Sequence, residues 1–197
     1  MGTSGRKESG IIGLDSEKIP RIECSSVCDS RGICDSSSAC DTGAGYDSNN
    51  DAGFMAEALK EALKAYDLNE VPIGCVITRQ GKIIAQAANQ RTTNGNALHH
   101  AEILAIGQAC EAIGDWRLED CRIYVTIEPC PMCAGAIIQA RIPVVVYGAK
   151  NPKAGCAGSI LNILEEPRFN HQAQVVAGVL ENECANLMRE FFQRFRK

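Results

Sequence analysis

The rhythm of apolar and polar positions changes near residue 51. Before it, Ser, Gly and Asp dominate, aromatics are scarce, and neither a helical nor a strand period persists beyond a few residues. A stretch of that kind buries too little apolar surface to offset its ordering entropy, so residues 1–50 are expected to be a disordered extension. From Asp51 the segment "DAGFMAEALKEALKAYD" places Phe54, Ala58, Leu59, Ala62, Leu63 and Tyr66 at helical spacing behind Asp51, a suitable cap. An amphipathic helix is predicted there. "VPIGCVITRQGKIIAQAANQ" reads as two short strands turning at Gly81. A helix over about 100–113, a strand "RIYVTI" at 122–127 and a helix over about 131–140 follow. "IPVVVYGAK" is nearly unbroken in its apolar run, which predicts a strand buried on both faces. Residues 160–178 show no decisive period, and "ENECANLMREFFQRFRK" closes the chain as a helix.

A hairpin followed by alternating helix and strand predicts an α/β domain over residues 51–197, in three layers with the sheet covered on both faces. Ligand sites in such sheets gather at the carboxyl ends of strands, where helices begin. Two chemically unusual stretches fall at such places. One is "LHHAEILAI", residues 98–106, and the other is "TIEPCPMCAGAII", residues 126–138.

Composition changes this picture little. In 197 residues, 45% are hydrophobic and 22% charged, near the average for globular domains. No apolar run reaches membrane-spanning length, the N-terminus lacks the apolar centre of a secretory signal, and Arg6 occupies the position where myristoylation wants Ser or Thr. A cytoplasmic protein is expected. The net charge of -4 supplies no global attraction for nucleic acid, but residues 1–50 hold five Lys/Arg against eight Asp/Glu, so the remainder is nearly neutral and leaves room for a local basic patch.

The eleven cysteines, odd in number and irregular in spacing, fit a disulfide framework poorly. Cys75, Cys110, Cys121 and Cys184 lie in apolar segments, where cysteine acts as a small hydrophobe. Cys24, Cys28, Cys34 and Cys40 could together bind metal, but they lack the tight pairs of zinc modules. Cys130 and Cys133 differ from all of these. Three apart at a helix start, they can direct both sulfurs to one ion, and Pro131 suits the first turn because the N–H it lacks has no intrahelical partner.

With His100 they make three zinc ligands, the number that keeps a fourth position open for water. Glu102 need not be a ligand. At a helix start it can serve as the proton shuttle for a zinc-activated water. Each part has a plainer reading: a lone His at a helix start is a cap or core residue, and a lone Cys-x-x-Cys is a redox pair or a structural zinc half-site. The combination of H-A-E with P-C-P-M-C, each opening a helix of one α/β domain, is the H-x-E, P-C-x-x-C signature of zinc nucleobase deaminases. His99 lacks the H-x-E spacing and is the weaker candidate for the ligand.

From about Phe54 to the C-terminus the chain resembles the bacterial tRNA-specific adenosine deaminases (the TadA family), in "EVPIGCVI", "NQR", "HAEILAI", "DWRLEDCRIYVTIEPCPMCAGAIIQARI", "YGAKNPKAGCAGS" and "FNHQAQVVAGVLENECANLMREFF". The resemblance implies a cytidine deaminase-like α/β/α fold with a mixed central sheet. It implies hydrolysis of adenosine to inosine at the first anticodon position of a tRNA, chiefly an arginine tRNA, with one Zn²⁺ per subunit and Glu102 moving the protons. It further implies that Asn89 holds the nucleoside, that Val71 to Gly74 and Ala101 wall the base pocket, and that a homodimer binds the anticodon stem-loop. Basic candidates for RNA contact are Lys150, Lys153, Arg189, Arg194, Arg196 and Lys197. Phe191 and Phe192 could stack on bases or pack the last helix on the core.

The chain departs from the family pattern in its first fifty residues, in His99, where a small residue is usual, and in Asn151, where an aspartate is common. The alternative enzyme is a deaminase of a free base or nucleoside of the same superfamily, such as guanine, cytosine or cytidine, which turns over without RNA. A non-catalytic RNA-binding subunit or a structural zinc protein would have no use for Glu102.

Overall fold

The computed structural model describes residues 50–196. The expectations for the extension and its four cysteines, and for Lys197, lie outside the described residues. The elements run α1 (Asp51–Asp67), β1 (Gly74–Arg79), β2 (Lys82–Ala88), α2 (Ala101–Ile113), β3 (Cys121–Ile127), α3 (Pro131–Gln139), β4 (Val144–Ala149), β5 (Gln174–Ala177) and α4 (Glu181–Gln193). The short strand β5 fills the stretch whose sequence showed no period. Its four residues are too few to reveal one.

The sheet order is β2-β1-β3-β4-β5. β1 pairs antiparallel with both β2 and β3, whereas β3, β4 and β5 are parallel, so the sheet is mixed as expected. One consequence decides where chemistry can occur. Strands β2, β3 and β4 end at the same edge, where Gly74 opposite Ala88 also starts β1.

Alternation along the central strands divides the core into two layers. Cys75, Ile77, Ile123, Val125, Val145 and Tyr147 face Ala101, Ala105 and Ala109 of α2 and Ala134, Ile137 and Ile138 of α3. Val76, Tyr124 and Val146 face α1 and α4 through Met55, Ala58 and Cys184. Three layers result.

Helix α1 forms where the periodicity placed it, but its buried stripe is Met55, Ala58, Ala62 and Ala65, with Leu63 turned outward. Small residues face the sheet because the helix lies directly on the start of β1. A Cβ built on Gly74 would meet the Ala58 carbonyl oxygen at 1.9 Å. Asp51 is not the cap. It is the first helical residue, buried, and its Oδ1 accepts the hydroxyl of Tyr124 at 2.9 Å, tying the helix start to β3.

Candidate active site and metal centre

The two unusual stretches meet at the edge where β2, β3 and β4 end. His100 is the N-cap of α2, with extended backbone (φ -75°, ψ 152°), and Cys130 is the N-cap of α3 (φ -76°, ψ 173°). Neither side chain makes a capping hydrogen bond, so both residues hold the N-cap position by backbone alone and their side chains are left for another use. Cys133 lies one turn into α3 and is buried.

His100 Nδ1 is 3.7 Å from Cys130 Sγ and 3.5 Å from Cys133 Sγ. A zinc ion with bond lengths of about 2.3 Å to sulfur and about 2.0–2.1 Å to nitrogen would separate tetrahedral S and N ligands by about 3.6 Å. Both nitrogen–sulfur separations match that value. All three ligand atoms lie within 4.8 Å of one another, and this is the group among the described residues able to hold a metal. The cysteines are free thiols. Hydrogen bonding from Cys133 and the adjacent His100 ring outweigh burial and lower the Cys130 pKa to about 4. Cys133, which shares its proton with Cys130 and is buried, moves in the opposite direction.

Glu102, in the first turn of α2, is 3% exposed and belongs to neither ligand set nor ion pair. Its carboxyl lies against the Cys133 thiol, while Oε2 has no hydrogen-bond partner among the described residues. Burial raises its pKa. A carboxyl group so placed is ready to hold a proton, and its idle oxygen is one a substrate or water would satisfy.

A family model described as MafB19-like deaminase matches residues 49–196. The chain is 54% identical over 147 residues to the tRNA-specific adenosine deaminase of Bacillus subtilis (strain 168), covering 75% of this chain and 91% of the relative. The chain belongs to the tRNA-specific adenosine deaminase family. A second member of this deaminase family, from Streptococcus pyogenes serotype M18 (strain MGAS8232), is 49% identical over 152 residues, 77% of this chain and 96% of the relative. A solved structure from work on A-to-I editing by tRNA:A34 deaminases at the wobble position of transfer RNA matches with a TM-score of 0.66 at 42% identity, covering 68% of this chain and 98% of that one. The guanine deaminase of Nitrosomonas europaea, with a TM-score of 0.63 at 20% identity over 78% of this chain and 96% of that one, shares the fold.

Asn89 is buried just after β2. Its N–H donates to the Ile73 carbonyl at 2.9 Å, and its Nδ2 donates to Glu70 Oε2 at 3.2 Å. Glu70, itself buried, also accepts the backbone N–H of Thr93, so it joins Asn89 to the loop leading to His100. No periodicity points to Glu70, although it opens the quoted "EVPIGCVI". Val71 is half-buried and its carbonyl accepts Ile73 N–H at 2.8 Å. Gly74 sits at the same edge, but its missing side chain makes room for α1, as described above. Ala101 is fully buried between His100 and Glu102.

The expected RNA contacts separate into two groups. Lys150, Asn151 and Lys153 lie on the loop after β4, and both lysines are exposed. Asn151 Oδ1 accepts the N–H groups of Lys153 and Ala154 at 3.3 and 3.2 Å, an acceptor role an aspartate would fill equally well. Arg189, Phe192 and Arg194 belong to α4 or its cap, on the α1 side of the sheet. Arg189 donates to Asn186. Arg194 stacks over Tyr66 at 4.7 Å and reaches Asn69 Oδ1 at 3.5 Å, while Arg196 is exposed. Phe191 is buried and packs edge-on to Tyr66, whereas Phe192 is 47% exposed, so the two neighbours divide the roles of core residue and surface aromatic. His99 Nδ1 lies 2.9 Å from Asn94 Nδ2, and the imidazole that joins Cys130 and Cys133 is that of His100.

Proposed function

We propose that this chain converts adenosine to inosine at the wobble position of a tRNA, an arginine tRNA first among its substrates, with water consumed and ammonia released. The observation that carries the proposal is the unpartnered, buried Oε2 of Glu102 beside a three-donor set of zinc dimensions. His100 Nδ1, Cys130 Sγ and Cys133 Sγ would hold one Zn²⁺ per chain, which when bound supplies Lewis-acid activation of water. Glu102 would take one proton from the attacking water and deliver it to ring nitrogen 1 of adenine, then carry the remaining proton from the new hydroxyl on carbon 6 to the amine, which leaves as ammonia while the inosine carbonyl forms.

Asn89, held by Glu70, orients the nucleoside, with Val71 and Ala101 beside the base. Lys150, Asn151 and Lys153 meet the phosphates of the anticodon stem-loop, and Arg189, Phe192 and Arg194 extend that surface. The active unit is a homodimer acting in the cytoplasm. Among the described residues no helix is long and apolar enough to cross a membrane. A single-stranded loop is read through splayed bases and 2′-hydroxyls, so the net charge of -4 is no obstacle.

The test is incubation of the purified protein with an arginine tRNA carrying adenosine at the wobble position, inosine being read by sequencing of the cDNA. Inosine is expected from the wild-type chain and not from Glu102→Ala. Equal inosine from both proteins removes the proton-shuttle role, and turnover of free guanine or cytidine without any on tRNA replaces the substrate.

A further inference from the structure

Beside the metal-ligand set stands a second carboxylate with a very different environment. Glu128, immediately after β3 and 1% exposed, is surrounded by donors from one loop. Its Oε1 accepts the backbone N–H groups of Ala157 and Ser159 at 3.0 and 2.9 Å. Its Oε2 accepts the N–H of Asn151 at 2.9 Å and also the Ser159 hydroxyl. A carboxylate offers about four acceptor directions, and here all are taken by residues 151–159.

The loop also lies directly on the carboxyl group. A Cβ on Gly155 would stand 2.3 Å from Glu128 Cδ, so a side chain there would force the two apart. The backbone completes the attachment. Glu128 N–H donates to Ala149 O at the end of β4, and Cys156 N–H donates to Pro129 O, each at 2.9 Å. Residues 128–130 thus bind the loop on one side and supply the ligand Cys130 on the other.

We infer that Glu128 is a positioning residue for substrate: its carboxylate folds the loop of residues 150–159 around itself and so fixes Lys150 and Lys153 at a set distance from Cys130. The inference rests on the RNA-substrate reading above for its effect on catalysis, but not for the loop geometry. An acceptor-only group is required. In Glu128→Gln the amide NH₂ would point at N–H or O–H donors whichever way it turned, leaving a buried donor unmatched.

The experiment compares the wild-type chain, Glu128→Gln and the milder Ser159→Ala, which removes only the hydroxyl donor. In Glu128→Gln, hydrogen exchange at the Ala157 and Ser159 amides should quicken by about tenfold or more while β3 and β4 stay protected. KM for a wobble-adenosine anticodon stem-loop should rise by about tenfold with kcat within about twofold and zinc still near one per chain. Ser159→Ala should move KM in the same direction by a smaller factor and serves if Glu128→Gln fails to fold. Unchanged exchange at the loop amides overturns the inference, as does a loss of kcat and zinc with KM constant, which would make Glu128 a support of the metal centre alone. A wild-type chain inactive on the stem-loop would instead sink the RNA reading, with the exchange measurement still deciding the loop.

Discussion

His100 Nδ1 and Cys133 Sγ are 3.5 Å apart although thirty-three residues separate them in the chain. Because β1 pairs antiparallel with both β2 and β3, the two strands that lead into α2 and α3 end at the same edge, and the placement of both helices on one face of the sheet brings their starts together. A ring nitrogen and two free thiols this close together are a donor set that a single metal ion would join.

Zinc is therefore expected at about one ion per folded chain, measured by elemental analysis after dialysis. Since ligands and fold form together, stripping with a strong chelator should lower the melting temperature, and re-addition of Zn²⁺ should restore it. Cys133→Ala should purify with far less metal. A fully metal-free chain with an unchanged melting temperature would contradict the assignment.

Glu102→Gln separates chemistry from structure. Replacing a buried carboxyl whose Oε2 lacks a partner should leave zinc content and melting temperature intact or raise the latter, while kcat falls by about 10³-fold. Zinc analysis, calorimetry and single-turnover inosine formation check the three parts. Retained turnover would count against the proton shuttle.

Asn89 and Glu70 should behave as a pair. Glu70→Ala frees the Asn89 amide and the Thr93 N–H together, so Glu70→Ala and Asn89→Ala should each lower kcat/KM by about tenfold or more, and the double variant by less than the product. Additive effects in that double-mutant cycle would show that Glu70 does not act through Asn89.

Gly74→Ala tests the packing of α1. With the Ala58 carbonyl and the Ala62 nitrogen at 1.9 and 2.5 Å from the new Cβ, and both belonging to backbone, the helix must move off the strand. A loss of about 2–3 kcal/mol in urea unfolding is expected. Gly107→Ala, where a Cβ meets nothing within 4 Å, is the control and should be neutral or stabilising.

Alkaline stability should depend on Cys184. Burial first, and the charge of Glu183 second, raise its pKa from 9.0 to about 12. A thiol that ionises more readily unfolded than folded stabilises fully below pH 9 and loses that contribution as pH rises towards about 12. Unfolding free energy measured across that window should fall less steeply in Cys184→Ala, by about one proton's worth of slope. Identical slopes would show that the thiol is accessible to solvent.

Much of this molecule was legible from its residues in order. Helical periods, alternation and unbroken apolar runs located α1 to α4 and β1 to β4, because those elements bury a stripe, one face or both faces over enough residues to leave a pattern. The candidate donors His100, Cys130 and Cys133 were legible because an H-x-E and a P-C-x-x-C, each opening a helix of one domain, narrow the reading that either has alone, and Pro131 marks one of those openings. Tertiary structure decided what depends on groups distant in the chain. Asp51 reads locally as a cap, yet a tyrosine seventy-three residues away claims its carboxylate. Gly74 reads as an ordinary strand residue until α1 is laid across it, and no period or motif singles out Glu128 until a loop from residues 151–159 closes on it. Sequence patterns record the periodicity and chemistry of each segment, whereas the partner of a buried polar group is chosen only when the chain brings the two together, since water satisfies both until then.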